Sequence, residues 1–448
     1  TDQPMRGSRG GMPEHCEVSK ADSFYRTSEY CGVCHEVSNP YFSHNARSTV
    51  PYAQIPMERT YSEWKLSWFA TNEERQTCQS CHMKPSPGLA SISPSAQRRN
   101  DVASHDFSGG NTFGATLVAG NWSGLDQLVL QKGIALSEAL LKSAARLEVV
   151  AGRTPLEAIA LVRLTNLTGH KLPTGFPEGR RMWISVVGRD ENGAVTFTSG
   201  EYEVSSGRVR RDTQLKVYEA RPGTSPNLAN SLSVPAGHSF PSAFNDTFYF
   251  DNRIPPRGFR EDAFRERRAQ PVGYRYEDGQ YWDETRYTMP SSTRSVEASV
   301  YYQLVSDEFA AFLRDENVGN PYDWNQWGER VYSAWRTRGG PNLMARQSAV
   351  VSSRPPRLSA FNDFDAPLEF SLAQNYPNRF NAETTIEFSV TNNTHVTMEL
   401  YDIRGQLIET LVNGTFSAGL FAQRVEGLRL SSGVYFYRLT VGASSQTR

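Results

Sequence analysis

The chain lacks most of the features that place a sequence at once. No apolar run approaches the roughly 18 residues of a membrane-spanning helix, so no such span is expected. Neither charge sign is in excess: 47 basic residues stand against 48 acidic ones, and the basic residues are not gathered into one run. That argues against nucleic acid as the main partner. Neither H-E-x-x-H nor G-x-S-x-G occurs, so the common metalloprotease and α/β-hydrolase sites are not expected. There is no apolar leader at the start, and the first residue is Thr1; the expectation is a mature exported protein whose signal has been removed. Cysteine is scarce, at five in 448 residues.

That scarcity gives weight to where the cysteines fall. "CGVCH" places Cys31 and Cys34 ahead of His35, and "CQSCH" places Cys78 and Cys81 ahead of His82. Four of the five cysteines are therefore spent on two copies of Cys-x-x-Cys-His. A redox dithiol needs one such pair beside a βαβ pattern, and no strand leading into a helix is read at either copy. A tetrathiolate zinc site usually separates its pairs by about 15–20 residues and needs no histidine after each; here 43 residues lie between Cys34 and Cys78. The third chemistry is c-type haem attachment, for which Cys-x-x-Cys-His is the signature. Two thioethers fix the porphyrin to one turn of chain, and the adjacent imidazole reaches the iron. The expectation is two covalent haem c groups with His35 and His82 as proximal ligands; structural zinc is the alternative. Cys16 is left over, read as a free thiol or a cross-subunit disulfide.

A chain of this length is expected to hold two to four domains, and the aromatic, proline and glycine content suggests a loop-rich, β-rich protein. Residues 1–122 read as a small, irregular haem domain with one helical stretch, 60–76, whose Tyr61, Trp64, Trp68 and Phe69 could cover a porphyrin face. Residues 123–355 read as a β-sandwich scaffold with flanking helices, the first helix starting near Leu125. "RMWISVVGRDENGAVTFTSG" reads as two strands about an Asp190–Gly193 turn. "SDEFAAFLRDE", capped by Ser306, and "NQWGERVYSAWRTR" read as helices. Residues 364–448 carry short strands at regular spacing, read as an immunoglobulin-like sandwich. The fold class is thus mainly β, with a small irregular and helical haem domain.

Two resemblances follow. Residues from Cys31 to Met344 resemble a family of exported multihaem c-type cytochromes, on "CGVCHEVSNP", "MERTYSEWKLSWFA", "TCQSCHM", "HDFSGGN", "NLTGHKLPTGFPEGRRMWI" and "DNRIPPRGF". The last unit resembles the C-terminal sorting domain of the type IX secretion system, on "LAQNYPNRF", "YDIRGQLIETL" and "SSGVYFYRL". That family usually has Pro where this chain has Arg379, and usually continues through one more strand. These resemblances imply export through the periplasm to the cell surface or the extracellular space.

An iron used only for electron transfer usually fills both axial positions. His105, beside Gly109 and Gly110, and His170, in a Gly169–Gly175 turn, match histidine positions that commonly ligate haem in the cytochrome family; both are expected to be distal ligands. His15 and His44 are reserve candidates, His238 ranks lower, and His395 is expected at the surface. Methionine would raise the potential relative to bis-histidine ligation; Met57 and Met12 are its candidates, and Met83 is too close to His82 to reach the far face. Arg59, Arg98, Arg99, Arg180 and Arg181 are candidate propionate contacts, since guanidinium pairs two-pronged with carboxylate, with Arg59 and Arg180 first. The expected function is electron transfer between two low-spin haems, to redox partner proteins or extracellular acceptors, rather than catalysis. A dihaem peroxidase, or a reductase of small nitrogen compounds with one open iron, is the alternative. Spare histidines and a sheet edge open to β-augmentation would suit head-to-tail assembly into a haem-lined filament.

Overall fold

Apolar stretches between residues 145 and 350 become antiparallel strands in two sheets. The computed structural model describes residues 23–39, 55–72, 76–89, 97–317, 326–338, 340–356, 371–375, 377–381, 383–390, 394–416, 419–427, 430–442 and 444–448. His15, His44, Cys16 and Met12 lie outside the described residues. The larger sheet runs in the order 237–238, 216–224, 181–189, 295–303, 342–350, with 247–251 also paired to 216–224 and 195–199 to 181–189. The smaller sheet runs 282–290, 157–166, 145–153. Leu164, Val162 and Tyr287 from the small sheet share one buried cluster with Ile184, Tyr218, Ala298 and Val300 from the large one. Burying each large aliphatic contributes about 1.5–3 kcal/mol. The strand Glu157–Asn166, central in its sheet, is buried on both faces along nearly its whole length.

Local signals explain most element ends. Asp190 Oδ1 accepts from the amides of Asn192 and Ala194, and Gly193 takes φ +81°, so the turn into Val195–Ser199 forms as expected. Asp126 caps the helix Gln127–Ser143, and Ser306 caps Asp307–Asp315. The helix Trp327–Arg338 is present as well.

The N-terminal segment departs from expectation in three ways. The first Cys-x-x-Cys-His begins at the end of a one-turn helix, α1 (Ser28–Gly32), with Cys34 and His35 in the turn beyond it, and the second lies whole on another, α4 (Cys78–His82), later in the chain. The stretch read as one helix over 60–76 is two: α2 (Thr60–Lys65) and α3 (Trp68–Thr71). Ser67 breaks it, with extended backbone and its hydroxyl donating to the Trp64 carbonyl at 2.7 Å. A helix over Phe113–Asn121, in a stretch read as irregular, is started where Asn111 Oδ1 accepts from the Gly114 amide.

The chain divides into two compact units, Thr1–Leu358 and Ser359–Arg448. Residues 1–122 and 123–355 were expected as separate domains; they fall in one unit, because α2 and the 169–180 loop are bonded to each other and to the strands (below). The second unit has two antiparallel sheets, 371–372/383–390/419–426 and 407–416/394–402/435–441/444–447, around a core of Ile386, Phe388, Val396, Met398 and Leu439. Its last strand, Ser444–Thr447, pairs with Tyr435–Val441, so the strand expected to be missing is there.

Candidate functional site

The two Cys-x-x-Cys-His turns are packed against each other. The Cys78 amide donates to Ser28 Oγ at 3.0 Å, and Gln79 Nε2 donates to the Thr27 carbonyl at 2.7 Å. Cys31 and Cys78, the first thiol of each motif, lie within hydrogen-bonding reach, and burial pushes both up, Cys78 to about 11. Cys34 and Cys81 are exposed. Among the described residues no three His, Cys, Asp or Glu side chains converge as they would on a bare metal ion.

Helix α2 links this pair to the rest of the site. Glu36, next to His35, accepts from the Ser62 amide and hydroxyl, each at 2.9 Å, and so holds the first turn of α2. A Cβ at Gly32 would lie 2.8 Å from the Tyr61 ring, so glycine inside the first motif is what lets α1 and α2 touch. Gly169 does the same on the other side, against Trp64. That brings in the loop 169–180. Asn166 pins its start: its amide donates to the carbonyls of His170, Ile254 and Pro255, and its oxygen accepts from Thr168.

The loop carries His170 to His82. The two rings have centroids 6.3 Å apart and planes inclined by 26°. Two imidazoles bound to opposite sides of one metal, at about 2 Å per metal–nitrogen bond plus a ring radius each, would stand roughly 6 Å apart. Their tautomers also agree. His82 Nδ1 donates to the Ser108 carbonyl at 2.6 Å, and His170 Nδ1 donates to the Lys171 carbonyl at 3.0 Å. Each Nε2 therefore keeps its lone pair, as a metal-ligating histidine requires. Burial, ahead of the nearby His82, pushes the His170 pKa down and keeps it neutral.

His35 is held the same way but by a carboxylate. Its Nδ1 donates to Glu58 Oε1 at 2.8 Å, and this bond, outweighing burial, raises its pKa. No second imidazole stacks opposite His35 among the described residues. His105 is exposed and meets Phe107 edge-on, with centroids 6.0 Å apart. His238 is exposed, donates to the Pro222 carbonyl and meets Phe240; His395 is exposed in the second unit.

A porphyrin needs apolar cover and partners for its propionates. Beside the first motif, Phe24, Tyr25 and Tyr30 form a mutually packed, partly exposed aromatic cluster, and Val33 is 70 % exposed. Leu89 and Phe107 are exposed in the segments that follow the second motif. These residues fit the group. Arg180 also fits: its Nε is buried with no partner among the described residues. Arg59 does not, because its guanidinium donates to Val37, Glu58 and Arg267 carbonyls and to Ser38 Oγ. Arg181 is likewise taken, by Gln303, Asp307 and Glu308. Met57 lines a cleft of about 370 Å³ with Glu58, Asp251 and Arg253.

Behind His170 lies a set of charges that the sequence reading missed. Lys171, fully buried, places Nζ 2.7 Å from Asp251 and 3.7 Å from Glu63. Glu63 accepts from the Lys171 amide and the Thr174 hydroxyl, and Arg253 grips Asp251 with two nitrogens. Nothing in the local pattern marks these four as buried; only the fold brings them together.

The model of a secretion system C-terminal sorting domain matches residues 374–448. A tail of this kind supports export and a location at the cell surface or outside the cell. No curated protein sequence matches the chain. Among solved structures, a penta-heme cytochrome c552 from Thermochromatium tepidum is similar at 16% identity and a TM-score of 0.40, over 73% of this chain and 57% of that one. Dimeric latent PorU from Porphyromonas gingivalis is similar at 11% identity and a TM-score of 0.15, over 68% of this chain and 33% of that one. Both likenesses are too slight to carry an argument, and the chain spans less than two thirds of either protein.

Proposed function

We propose that this is an exported dihaem c-type cytochrome that carries electrons. The observation that carries the reading is the joint placement of the two motifs: α1 and α4 are hydrogen-bonded side by side, and His170 faces His82. Cys31, Cys34 and His35 would hold one haem; Cys78, Cys81, His82 and His170 would hold the other, which would be bis-histidine and low-spin. Haem supplies the one-electron carrier. The chain's own residues fix the two attachment turns together, take the Nδ1 hydrogen of each histidine so that its Nε2 faces the metal side, and cover the rings. With Cys31 beside Cys78, the two attachment edges adjoin, which suits direct exchange.

The His35 side supports two finer readings. His15 or His44, from the same chain or from a neighbouring copy, would complete its iron; a ligand from a neighbour would join copies head to tail into a filament. With no second imidazole opposite His35 among the described residues, the same iron, left open, would suit a peroxidase or a reductase of small nitrogen compounds.

Paramagnetic resonance of the purified ferric protein separates these readings. The expected result is two low-spin signals with slow carbon monoxide binding after reduction. A strong high-spin signal with fast carbon monoxide binding overturns the carrier reading in favour of the enzyme. A high-spin fraction that disappears on concentration assigns the missing ligand to a second copy.

A further inference from the structure

We propose that the two irons differ in potential in a fixed order, the His35 iron lower, because Glu58 takes the Nδ1 hydrogen bond of His35 whereas neutral backbone carbonyls take those of His82 and His170. The inference rests on the dihaem reading above and adds to it which site holds the first electron.

The three rings present the same donor atom to the metal, so with a histidine completing the His35 iron the difference comes from what stands behind the rings. A carboxylate acceptor leaves more electron density on an imidazole than a carbonyl does, and a more basic ligand favours ferric iron. Glu58 is well placed for this. Its Oε1 lies 2.8 Å from His35 Nδ1 and also accepts from Thr60 Oγ1 at 3.0 Å, and Thr60 is paired with Thr174 Oγ1 at 2.9 Å. Its side chain is only 16% exposed, so water screens the charge incompletely.

The other site has no such charge on its ligands. His82 is bonded to the Ser108 carbonyl and His170 to the Lys171 carbonyl. Behind His170, Glu63 and Asp251 are matched by Lys171 and Arg253, so that group carries no net charge. Two cations among the described residues oppose the proposed order: Arg59, which donates to the Glu58 carbonyl but has the Glu36 carboxylate 3.5 Å away, and Arg180, near His35 and Glu58. Arg180 donates to the Thr174 carbonyl and touches neither side chain, while Glu58 bonds His35 directly. The direct contact prevails, and the first electron rests on the iron of His82 and His170.

The test is an optical redox titration of the full-length holoprotein and of three variants: Glu58→Gln, Glu58→Asp and His170→Met. The unmodified protein is expected to show two separated couples. Glu58→Gln raises the lower one more than the upper, since the Glu58 charge also reaches His170 from farther off, Glu58→Asp leaves the lower one nearly in place, and His170→Met raises chiefly the upper one, since methionine ligation raises the potential. A single unresolved couple, a Glu58→Gln shift that is larger in the upper couple or absent from both, or a His170→Met shift that is larger in the lower couple overturns the order. An equal shift in Glu58→Asp and Glu58→Gln shows that packing, not charge, is responsible, and overturns the cause. Because His170→Met assigns the upper couple alone, loss of haem from a Glu58 variant still leaves the order tested. Absence of both haems from the unmodified protein would instead refute the dihaem reading itself.

Discussion

Glu178 shows how much one buried side chain can hold. It is 4% exposed, one oxygen accepts from Asn245 at 3.3 Å, and the other has no partner among the described residues. Burial, outweighing its hydrogen bonds and the nearby arginines, pushes its pKa up from 4.5 to about 7. The folded protein therefore binds this proton more tightly than the unfolded chain does. The stability it contributes is fully present below about pH 4.5 and is lost as pH rises through about 7, by on the order of 3 kcal/mol. Glu178→Gln should flatten that loss and leave the variant the more stable protein at pH 8; urea unfolding at pH 5 and pH 8 checks it. Equal pH dependence in both proteins would contradict it. At this scale the sequence was legible where chemistry is local. The glycines around position 170 mark a loop that can approach a ring, and it brings His170 to 6.3 Å from His82. Glu58, Glu63 and Lys171 were not legible, because a charged side chain ordinarily reads as solvated and only tertiary contacts show otherwise. Arg59 failed as a propionate contact for the same reason: backbone carbonyls far away in sequence claim it.

Three elements meet at the buried charges: α2 through Glu63, the 169–180 loop through Lys171, and the strand Thr247–Asp251 through Asp251. Removing Lys171 leaves Arg253 on Asp251 and strips Glu63 of its nearest cation, and breaking a buried pair in this way costs about 3–5 kcal/mol. Lys171→Met should therefore destabilise the first unit by about that amount, while the double variant with Asp251→Asn recovers part of the loss. A change under about 1 kcal/mol, the range of exposed pairs, would mean that the network does not hold the loop. Elements with their own caps and periodicity were readable from sequence: Asp126 and Ser306 start helices where expected, and Asp190–Gly193 makes its turn. Those decided by a neighbour were not. The break at Ser67 lets α3 turn away after α2, with the Trp68 amide donating to the Arg257 carbonyl at 2.7 Å, and no local signal requires it.

At the scale of the whole molecule, the mainly β architecture was legible because strand patterns repeat through residues 145–350 and again near the end. The division into domains was less so. The haem-motif segment has few aliphatic residues and completes itself on the scaffold, so composition marked a boundary near residue 122 that the contacts do not keep. The sorting tail was legible from its own motifs, and its match covers residues 374–448. The proposed cofactor and electron transfer both rest on Cys31, Cys34, Cys78 and Cys81 carrying porphyrin. The intact mass of the purified, denatured protein tests that most directly. The expected result is the chain mass plus two covalent haems, falling to one when Cys78 and Cys81 are both changed to alanine. A denatured mass equal to the bare polypeptide, with zinc or nothing released on unfolding, would contradict it.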